Sequence, residues 1–498
     1  MDITFISAGA GSGKTFRLTT LIIEALAGGT DPARIMATTF TRKAAREIRE
    51  RVGSAVAATG DLRLIQGAPA MTIGTVNSVC GQLLDRFAFD AGLPPHLGVI
   101  EAEDSINLLK QVMETCINDT VRTQLMDIEE RFGYEGDMKN RWMKHVQEMV
   151  AAARSNGILG KHLPAMAKRN ADATLRCFGA TLVNPDWELL DALDTFMPIM
   201  ESRQQERHLK NSAGFIETCK AMRKNLAAGT VAWRSWVDLA RGGYGLNIAT
   251  EGAVIMDLAG RFLGHPGLHQ DIQEYLRLCF EAAANSLDAF AEAKRVRAVV
   301  DFADQESLLF HILDKPEVQA RLREQLGLLL VDEFQDTSPI QLALFLKLAG
   351  LADSCIWVGD VKQSIYGFRG SDARLMDEVV RALPDLGGRQ QILGRSWRSR
   401  PSLVALANAV FVPAFSPGLP PEAIALEAQR EEHERCTPLE HWLLEGSQGP
   451  QAKALAGGVR GLLTSGSTME ERGSSQLITI EPGDIAILVR TNDAVEQI

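Results

Sequence analysis

Seven cysteines lie scattered over 498 residues, at 80, 116, 177, 219, 279, 355 and 436, and no two form a CxxC pair. That spacing argues against a disulfide framework and against the usual zinc or iron–sulfur ligand sets, leaving buried free thiols as the default. No run of about 18 apolar residues occurs, and the Met1-Asp2 start does not open a secretory signal. The expectation is a cytoplasmic protein with no membrane partner. Positive charge is in deficit: the net charge is −11 and the pI about 5.5. A general polyanion-coating protein is thereby disfavoured, whereas a local basic groove is not, because binding depends on where charge sits. Internal repeats are absent. The 46% hydrophobic and 23% charged fractions are those of ordinary globular protein. The length allows about three or four domains.

What the chain does have begins at residues 328–336, Leu-Leu-Leu-Val-Asp-Glu-Phe-Gln-Asp. An apolar run of this kind reads as a buried parallel strand, and the C-terminal ends of such strands are where open α/β sheets bind ligands. Asp332 and Glu333 at the tip suit a metal and a water; a core strand leading into a solvated acidic turn is the plainer alternative. The N-terminus decides between them. Residues 3–15, Ile-Thr-Phe-Ile-Ser-Ala-Gly-Ala-Gly-Ser-Gly-Lys-Thr, give a short strand, a small-residue loop and a helix start. Gly9, Gly11 and Gly13 let the backbone approach a phosphate and permit positive φ where the loop curls. Loop N–H groups and the helix N-terminus then form an anion site, with Lys14 reaching the β/γ-phosphates and the Thr15 hydroxyl on Mg²⁺. The strict pattern has glycine at position 8, where this chain has Ala8. A phosphate loop and a separate acidic strand tip together point to nucleotide hydrolysis.

Strands and helices alternate at the start: a strand at 35–40, a helix at 41–58 with Ala45, Ile48, Val52 and Val56 on one face and Arg42, Arg46 and Arg49 on the next, then a strand at 70–76 and a helix from Asn77. A second α/β block has strands at 328–332 and 355–360 and helices near 338–349 and 371–382. Between them strand signals nearly vanish. Trp142, Trp187, Trp233 and Trp236 fall there and read as core anchors. Loops are expected at 412–421 and 447–450, and Thr464–Ser475 reads as a solvated loop.

Three further segments have a common direction: Ala37-Thr38-Thr39-Phe40-Thr41-Arg42-Lys43-Ala44-Ala45, then Gly359-Asp360-Val361-Lys362-Gln363-Ser364-Ile365-Tyr366-Gly367-Phe368-Arg369-Gly370, then Ser396-Trp397-Arg398-Ser399 after a strand near 391–393. With the phosphate loop and the acidic strand, this series and its order resemble the UvrD/Rep/RecB-type superfamily 1 DNA helicases. The long helical insertion is more similar to the RecB/AddA branch than to the compact repair helicases. The resemblance covers about 1–90 and 300–410, and extends weakly to Asp484–Arg490. It implies an α/β fold: a RecA-like P-loop motor domain with a parallel sheet (1–98 and 301–385), a large all-α insertion (99–300), and the beginning of a second RecA-like domain (386–498).

By the same resemblance, Ala8, Gly9, Ala10, Gly11, Ser12, Gly13, Lys14, Thr15 and Phe16 hold ATP. Phe16 stands where the repair helicases carry an adenine-stacking arginine. Only seven residues precede Ala8, too few for the upstream motif that reads adenine in those relatives. Thr15 and Asp332 hold Mg²⁺, Glu333 activates the attacking water, Gln363 senses the γ-phosphate, and Arg398 reaches in from the second motor domain. A loose phosphoryl transition state spreads negative charge over equatorial oxygens, so catalysis is mostly positioning and cation placement. Phe40, Thr41, Arg42, Thr75, Ser78, Tyr366 and Phe368 fall on the DNA path, where stacking ignores base sequence and suits a translocating motor. Val76 and Asn77 replace the Phe-His usual between Thr75 and Ser78. Lys210, Lys220, Arg223, Lys224 and Arg234 fit a solvated helix face better than a duplex-facing groove. The implied activity is an ATP-dependent helicase or translocase moving 3′→5′ on single-stranded DNA or from a duplex with a single-stranded end. Only the opening of the second motor domain is expected here, with a nuclease domain or partner subunit supplying more. The competing readings are a nucleotide switch or DNA-binding subunit that binds ATP without translocating, and a small-molecule kinase, for which the Phe40 and Gln363–Arg369 segments have no use.

Overall fold

The computed structural model describes residues 2–93, 97–134, 140–203, 212–244, 248–364, 373–431, 439–470 and 476–497. The phosphate loop joins strand β1 (Ile3–Ala8) to helix α1 (Lys14–Ala27), followed by β2 (Ile35–Thr39), α2 (Arg42–Thr59), β3 (Thr72–Thr75) and α3 (Val76–Arg86). Across the helical insertion the chain runs into α4 (Pro266–Val296), α5 (Phe302–Ile312), β4 (Leu328–Val331), α6 (Pro339–Ala349), β5 (Ser354–Gly359) and β6 (Arg389–Leu393). The six strands form one parallel sheet in the order β3-β2-β4-β5-β1-β6. This is the α/β fold with a parallel sheet and helical insertion that the sequence implies.

The apolar run of β4 is explained by its place between β2 and β5. Leu329 and Val331 enter the core on one face of the sheet, and Leu328 and Leu330 the core on the other. A strand covered on both faces has no polar side, which is why it reads as continuous rather than alternating. β6 differs. Its first four residues are exposed and it sits at the sheet edge beside β1. The strand near 391–393, past the expected boundary at 385, thus belongs to this sheet, with Ser7 opposite Ile392.

The insertion leaves and returns at one point, because Gly98–Val99 pairs in parallel with Val299–Val300. Nine α-helices lie between these strands among the described residues. The 31-residue α4 is the spine of one core, with Tyr275, Leu278, Cys279, Ala283 and Phe290 packed against Leu125, Trp142, Val146 and Val150. Leu189, Leu193, Phe196, Phe215, Cys219, Trp236 and Ile255 make a second core. Trp142 and Trp236 are the anchors expected of them, and Trp233 is half-buried with its indole N–H donating to Asp271 at 2.8 Å. Trp187 is not an anchor: it is 65% exposed, on the outer face of its helix opposite buried Leu189. No described helix is long and apolar enough to cross a membrane.

Several expected boundaries move. The strand at 70–76 is only Thr72–Thr75, because Thr75 caps α3, which starts at Val76. The helix Pro401–Phe415 runs through Pro413, and Gln448–Thr464 occupies the loop expected at 447–450, with Pro450 in its first turn where no intrahelical N–H is needed. Within the expected loop at 464–475, Thr468–Glu470 pairs antiparallel with Leu477–Thr479. Where the resemblance extends weakly to Asp484–Arg490, Pro482–Asp484 is a 3-10 turn and 485–489 have no regular structure.

Glu306 in α5 is buried, and burial raises its carboxyl pKa to about 7 from an ordinary 4.5. Below pH 4.5 folded and unfolded forms are both protonated. Between there and pH 7 only the folded form keeps the proton, so this group makes stability fall as pH rises, by about 3 kcal/mol in all. Glu306→Gln removes that cost. Unfolding of the variant and the parent is expected to coincide near pH 4.5 and to diverge in the variant's favour by pH 8; urea titrations at the two pH values check this.

Candidate nucleotide-hydrolysis site

Gly11 and Gly13 adopt φ of +74° and +87°, a region that side chains with a Cβ rarely enter, and they curl the loop after β1. Ser12 closes the curl on Gly9, its N–H and Oγ donating to the Gly9 carbonyl at 3.2 and 2.8 Å. No side chain caps the N-terminus of α1 and no acid stands in its first turn. Its unpaired N–H groups and positive dipole end are therefore open to an anion.

The acidic pair meets this loop across β1, β5 and β4. Lys14 Nζ lies 2.8 Å from Glu333 Oε2. Glu333 has φ +51°, a strained backbone for a side chain with a Cβ. Phe334 pins the turn: it is 1% exposed, stacked on Trp357 with centroids 4.4 Å apart, and edge-on to Phe5. Burial alone would raise the Glu333 carboxyl, yet the Lys14 ammonium holds it below the ordinary carboxylate range. Asp332 is more deeply set and anchored by its N–H on the Thr38 carbonyl at 2.8 Å. Burial, then the neighbouring Glu333 charge, push its carboxyl up to about 6. Its Oδ1 is buried with no hydrogen-bond partner. A buried, unsatisfied carboxylate oxygen beside an ammonium and an open helix end fits Mg²⁺ and a polyphosphate. Among the described residues no group of three or more His, Cys, Asp or Glu could hold a metal ion.

A second line of polar contacts joins this turn to the segment after β5. Gln335 Nε2 donates to Glu333 Oε2 at 2.8 Å while its Oε1 accepts the Asp360 N–H at 2.9 Å. A Cβ on Gly359 would lie 2.8 Å from that Oε1, so a side chain there would displace the Gln335 amide. Buried Asp360 receives Gln363 Nε2 at 2.7 Å and Lys362 Nζ at 2.8 Å. Gln363 is thus oriented through Asp360. Gln335, Asp360 and Lys362 were not among the sequence candidates. The signal available for Gln335 was its place within the acidic segment itself; nothing in the spacing marked Asp360.

Arg398 comes to the phosphate loop through its backbone. The Trp397 N–H donates to the Gly11 carbonyl at 2.9 Å, and a Cβ on Gly11 would sit 2.6 Å from Arg398 Cβ. Gly11 is therefore demanded twice, by its φ and by this approach. Trp397, also absent from the candidates, is 59% exposed beside Gly13, and Phe16 is 71% exposed at the edge of an open groove of about 560 Å³ also lined by Thr19, Glu50, Arg51 and Ser54.

The candidates for DNA are less gathered. Phe40 is half-buried against the core, and the Thr41 hydroxyl caps α2 by accepting the Ala44 N–H. Arg42 is 86% exposed, 3.5 Å from a similarly exposed Glu101, an ion pair of little energetic weight. Arg46 pairs with Glu50, while Arg49 donates to the Ile73 carbonyl. Thr75 and Ser78 satisfy each other around the start of α3, the Ser78 N–H donating to Thr75 Oγ1 and Ser78 Oγ to the Thr75 carbonyl. Of the residues between them, Val76 is core. Arg223 is paired with Asp194 and Arg234 with Asp238. Tyr366, Phe368 and Lys210 lie outside the described residues.

Residues 2–384 match the family described as UvrD/REP helicase N-terminal domain. Among curated relatives, a protein of Desulforudis audaxviator (strain MP104C), named as one subunit of an ATP-dependent helicase/nuclease, is 29% identical over 83% of this chain and 39% of its own length. The proteins of the same name from Streptococcus equi subsp. zooepidemicus (strain MGCS10565) and Levilactobacillus brevis (strain ATCC 367) are 24% and 26% identical, each over 82% of this chain and 37% of their own length. The chain thus spans less than two-fifths of the relatives it matches. The match runs through the phosphate loop, the insertion and the acidic strand to the end of the segment after β5, and on it the chain belongs to the UvrD/REP helicase N-terminal domain family.

Proposed function

We propose that this chain is the N-terminal motor part of an ATP-dependent DNA helicase or translocase working within a helicase–nuclease. The observation that carries the reading is the meeting of Lys14 and Glu333 at 2.8 Å beside an unsatisfied Asp332, where one loop supplies the cation and another the acids. Lys14 and the loop N–H groups bind the ATP phosphates; Thr15 and Asp332 hold Mg²⁺, which neutralises developing phosphate charge when bound. Glu333 takes the proton of the attacking water, and Gln335 keeps its carboxylate aimed. Gln363 reports the γ-phosphate to the segment after β5, and Arg398 brings positive charge from the segment that begins the second motor domain. Phe16 and Trp397 offer exposed rings to the base. Phe40, Thr41, Arg42, Thr75 and Ser78, with Tyr366 and Phe368, belong to the single-strand path. Movement is 3′→5′, as in the family resembled. The relatives' name, which makes each of them one subunit of a helicase/nuclease, supports a DNA substrate and a further protein in the assembly.

ATP turnover measured with and without a mixed-sequence single-stranded oligonucleotide tests this. The oligonucleotide is expected to raise turnover severalfold or more and to bind with a steep salt dependence, since phosphate neutralisation supplies most of the affinity. Phe40→Ala should weaken single-strand binding with ATP affinity kept. Turnover indifferent to DNA would favour a nucleotide switch and overturn the motor reading.

A further inference from the structure

The acidic turn is built into a second polar network that has no part in nucleotide chemistry and leads to the helical insertion. Ser338, two residues past Asp336, caps α6 in a reciprocal box: its Oγ accepts the Gln341 N–H at 3.4 Å and its own N–H donates to Gln341 Oε1 at 3.1 Å. The other end of the Gln341 amide is held from outside the loop, Nε2 donating to Glu306 Oε1 at 2.6 Å. Glu306 is 7% exposed in α5, so its carboxylate has little access to water as an alternative partner.

The N-terminus of α5 is tied to the insertion by buried charge. Asp301 and Asp304 form its capping box, and both receive Arg154 from the helix Arg141–Ser155 and Lys294 from the end of α4. Lys294 Nζ is 2.5 Å from Asp304, and Ser105 Oγ donates to Asp301 at 2.6 Å. The Phe290 ring lies close to both cations, its centroid 4.0 Å from Lys294 Nζ and 5.2 Å from Arg154 Cζ. Removing one partner of such a cluster strands a buried charge, so it resists shear between insertion and α5. A second contact reaches α6 directly, since a Cβ on Gly157, just past the Arg154 helix, would lie 3.1 Å from Ile340.

We infer that Glu306 is a positioning residue for the hydrolysis site: through Gln341 and Ser338 it fixes the exit of the acidic turn to α5, and Asp301 and Asp304 fix α5 to the insertion. The position of the insertion is thereby imposed on Glu333. This rests on the hydrolytic reading of the site. It predicts that nucleotide binding, made by the phosphate loop, is insensitive to Glu306 while the chemical step is not.

The test uses full-length protein, with ATP Kd from a fluorescent analogue and kcat from steady-state turnover. Glu306→Leu is expected to lower kcat about 10- to 100-fold, the effect of a misplacement near 1 Å, with Kd within about twofold. Glu306→Gln, whose amide oxygen still accepts from Gln341, should restore most of kcat. Gln341→Leu should match Glu306→Leu, and the double variant should be no worse than either, as two members of one path require. Hydrogen exchange should quicken over 333–338 and stay unchanged in the helix Ala102–Cys116, which a general loss of stability would not do. If Glu306→Leu does not fold, the half-buried Gln341 position carries the same comparison. Parent kcat in a folded Glu306→Leu or Gln341→Leu, or multiplicative losses in the double variant, would overturn the inference and leave the hydrolytic reading standing. Absence of turnover in the parent would remove both.

Discussion

Glu333→Gln is expected to yield a protein that binds ATP and does not hydrolyse it. The amide keeps the size of the carboxylate in a turn whose backbone is held at φ +51° and whose Phe334 is locked on Trp357, so the fold has no reason to move. It loses the negative charge that pairs with Lys14 at 2.8 Å, and with it the proton acceptor for the attacking water. Loss of a positioned general base costs about 10²–10⁴-fold in rate. Binding should be equal or tighter, because an incoming phosphate no longer has to displace Glu333 from the Lys14 ammonium. The companion change Asp332→Asn should act the other way, weakening Mg²⁺-dependent binding, since its Oδ1 is the buried oxygen without a protein partner. Single-turnover hydrolysis with a parallel nucleotide titration separates the two. Hydrolysis at the parent rate in Glu333→Gln would show that another group takes the proton.

The two segments that meet at the candidate site, the loop after β1 and the acidic turn, were legible because each is constrained locally. A loop that must curl around an anion needs glycine at positive φ, and Gly11 and Gly13 say so in the sequence. A strand buried on both faces needs an unbroken apolar run, and Leu328–Val331 supplies it. What sequence could not reveal is contact between distant segments. Gln335 bridges to Asp360 twenty-five positions on, and Gly11 answers partly to Arg398, which no local pattern announces. β6 was recognisable as extended but not as a neighbour of β1, because strand pairing is set by the sheet and not by the strand's own residues. Thr75 and Ser78 show the reverse difficulty. Their pattern is also that of a helix cap, and the Thr75 hydroxyl does cap α3 by accepting the Ser78 N–H. Trp187 misled because a large aromatic is read as core by default, whereas its position opposite Leu189 puts it outside.

The largest effect on binding is expected from Lys14→Ala. Lys14 is the side-chain cation of the phosphate loop, 15% exposed, and its ammonium stands between the loop and the acidic pair. Removing it takes away a charge-assisted contact to phosphate worth about 1.5–3 kcal/mol, or roughly 10- to 100-fold in affinity. It also leaves Glu333 without its cation and facing the incoming anion, which adds to the loss. The rest of the loop should keep its shape, since Ser12 closes on Gly9 and Trp397 on Gly11 without Lys14. The equilibrium titration of a fluorescent ATP analogue, with Mg²⁺, into parent and Lys14→Ala chains of equal thermal stability is therefore the most direct measurement. Saturable binding by the parent and its collapse in the variant is the predicted result; binding of equal strength in both would contradict the assignment of this loop and acidic pair as the nucleotide site.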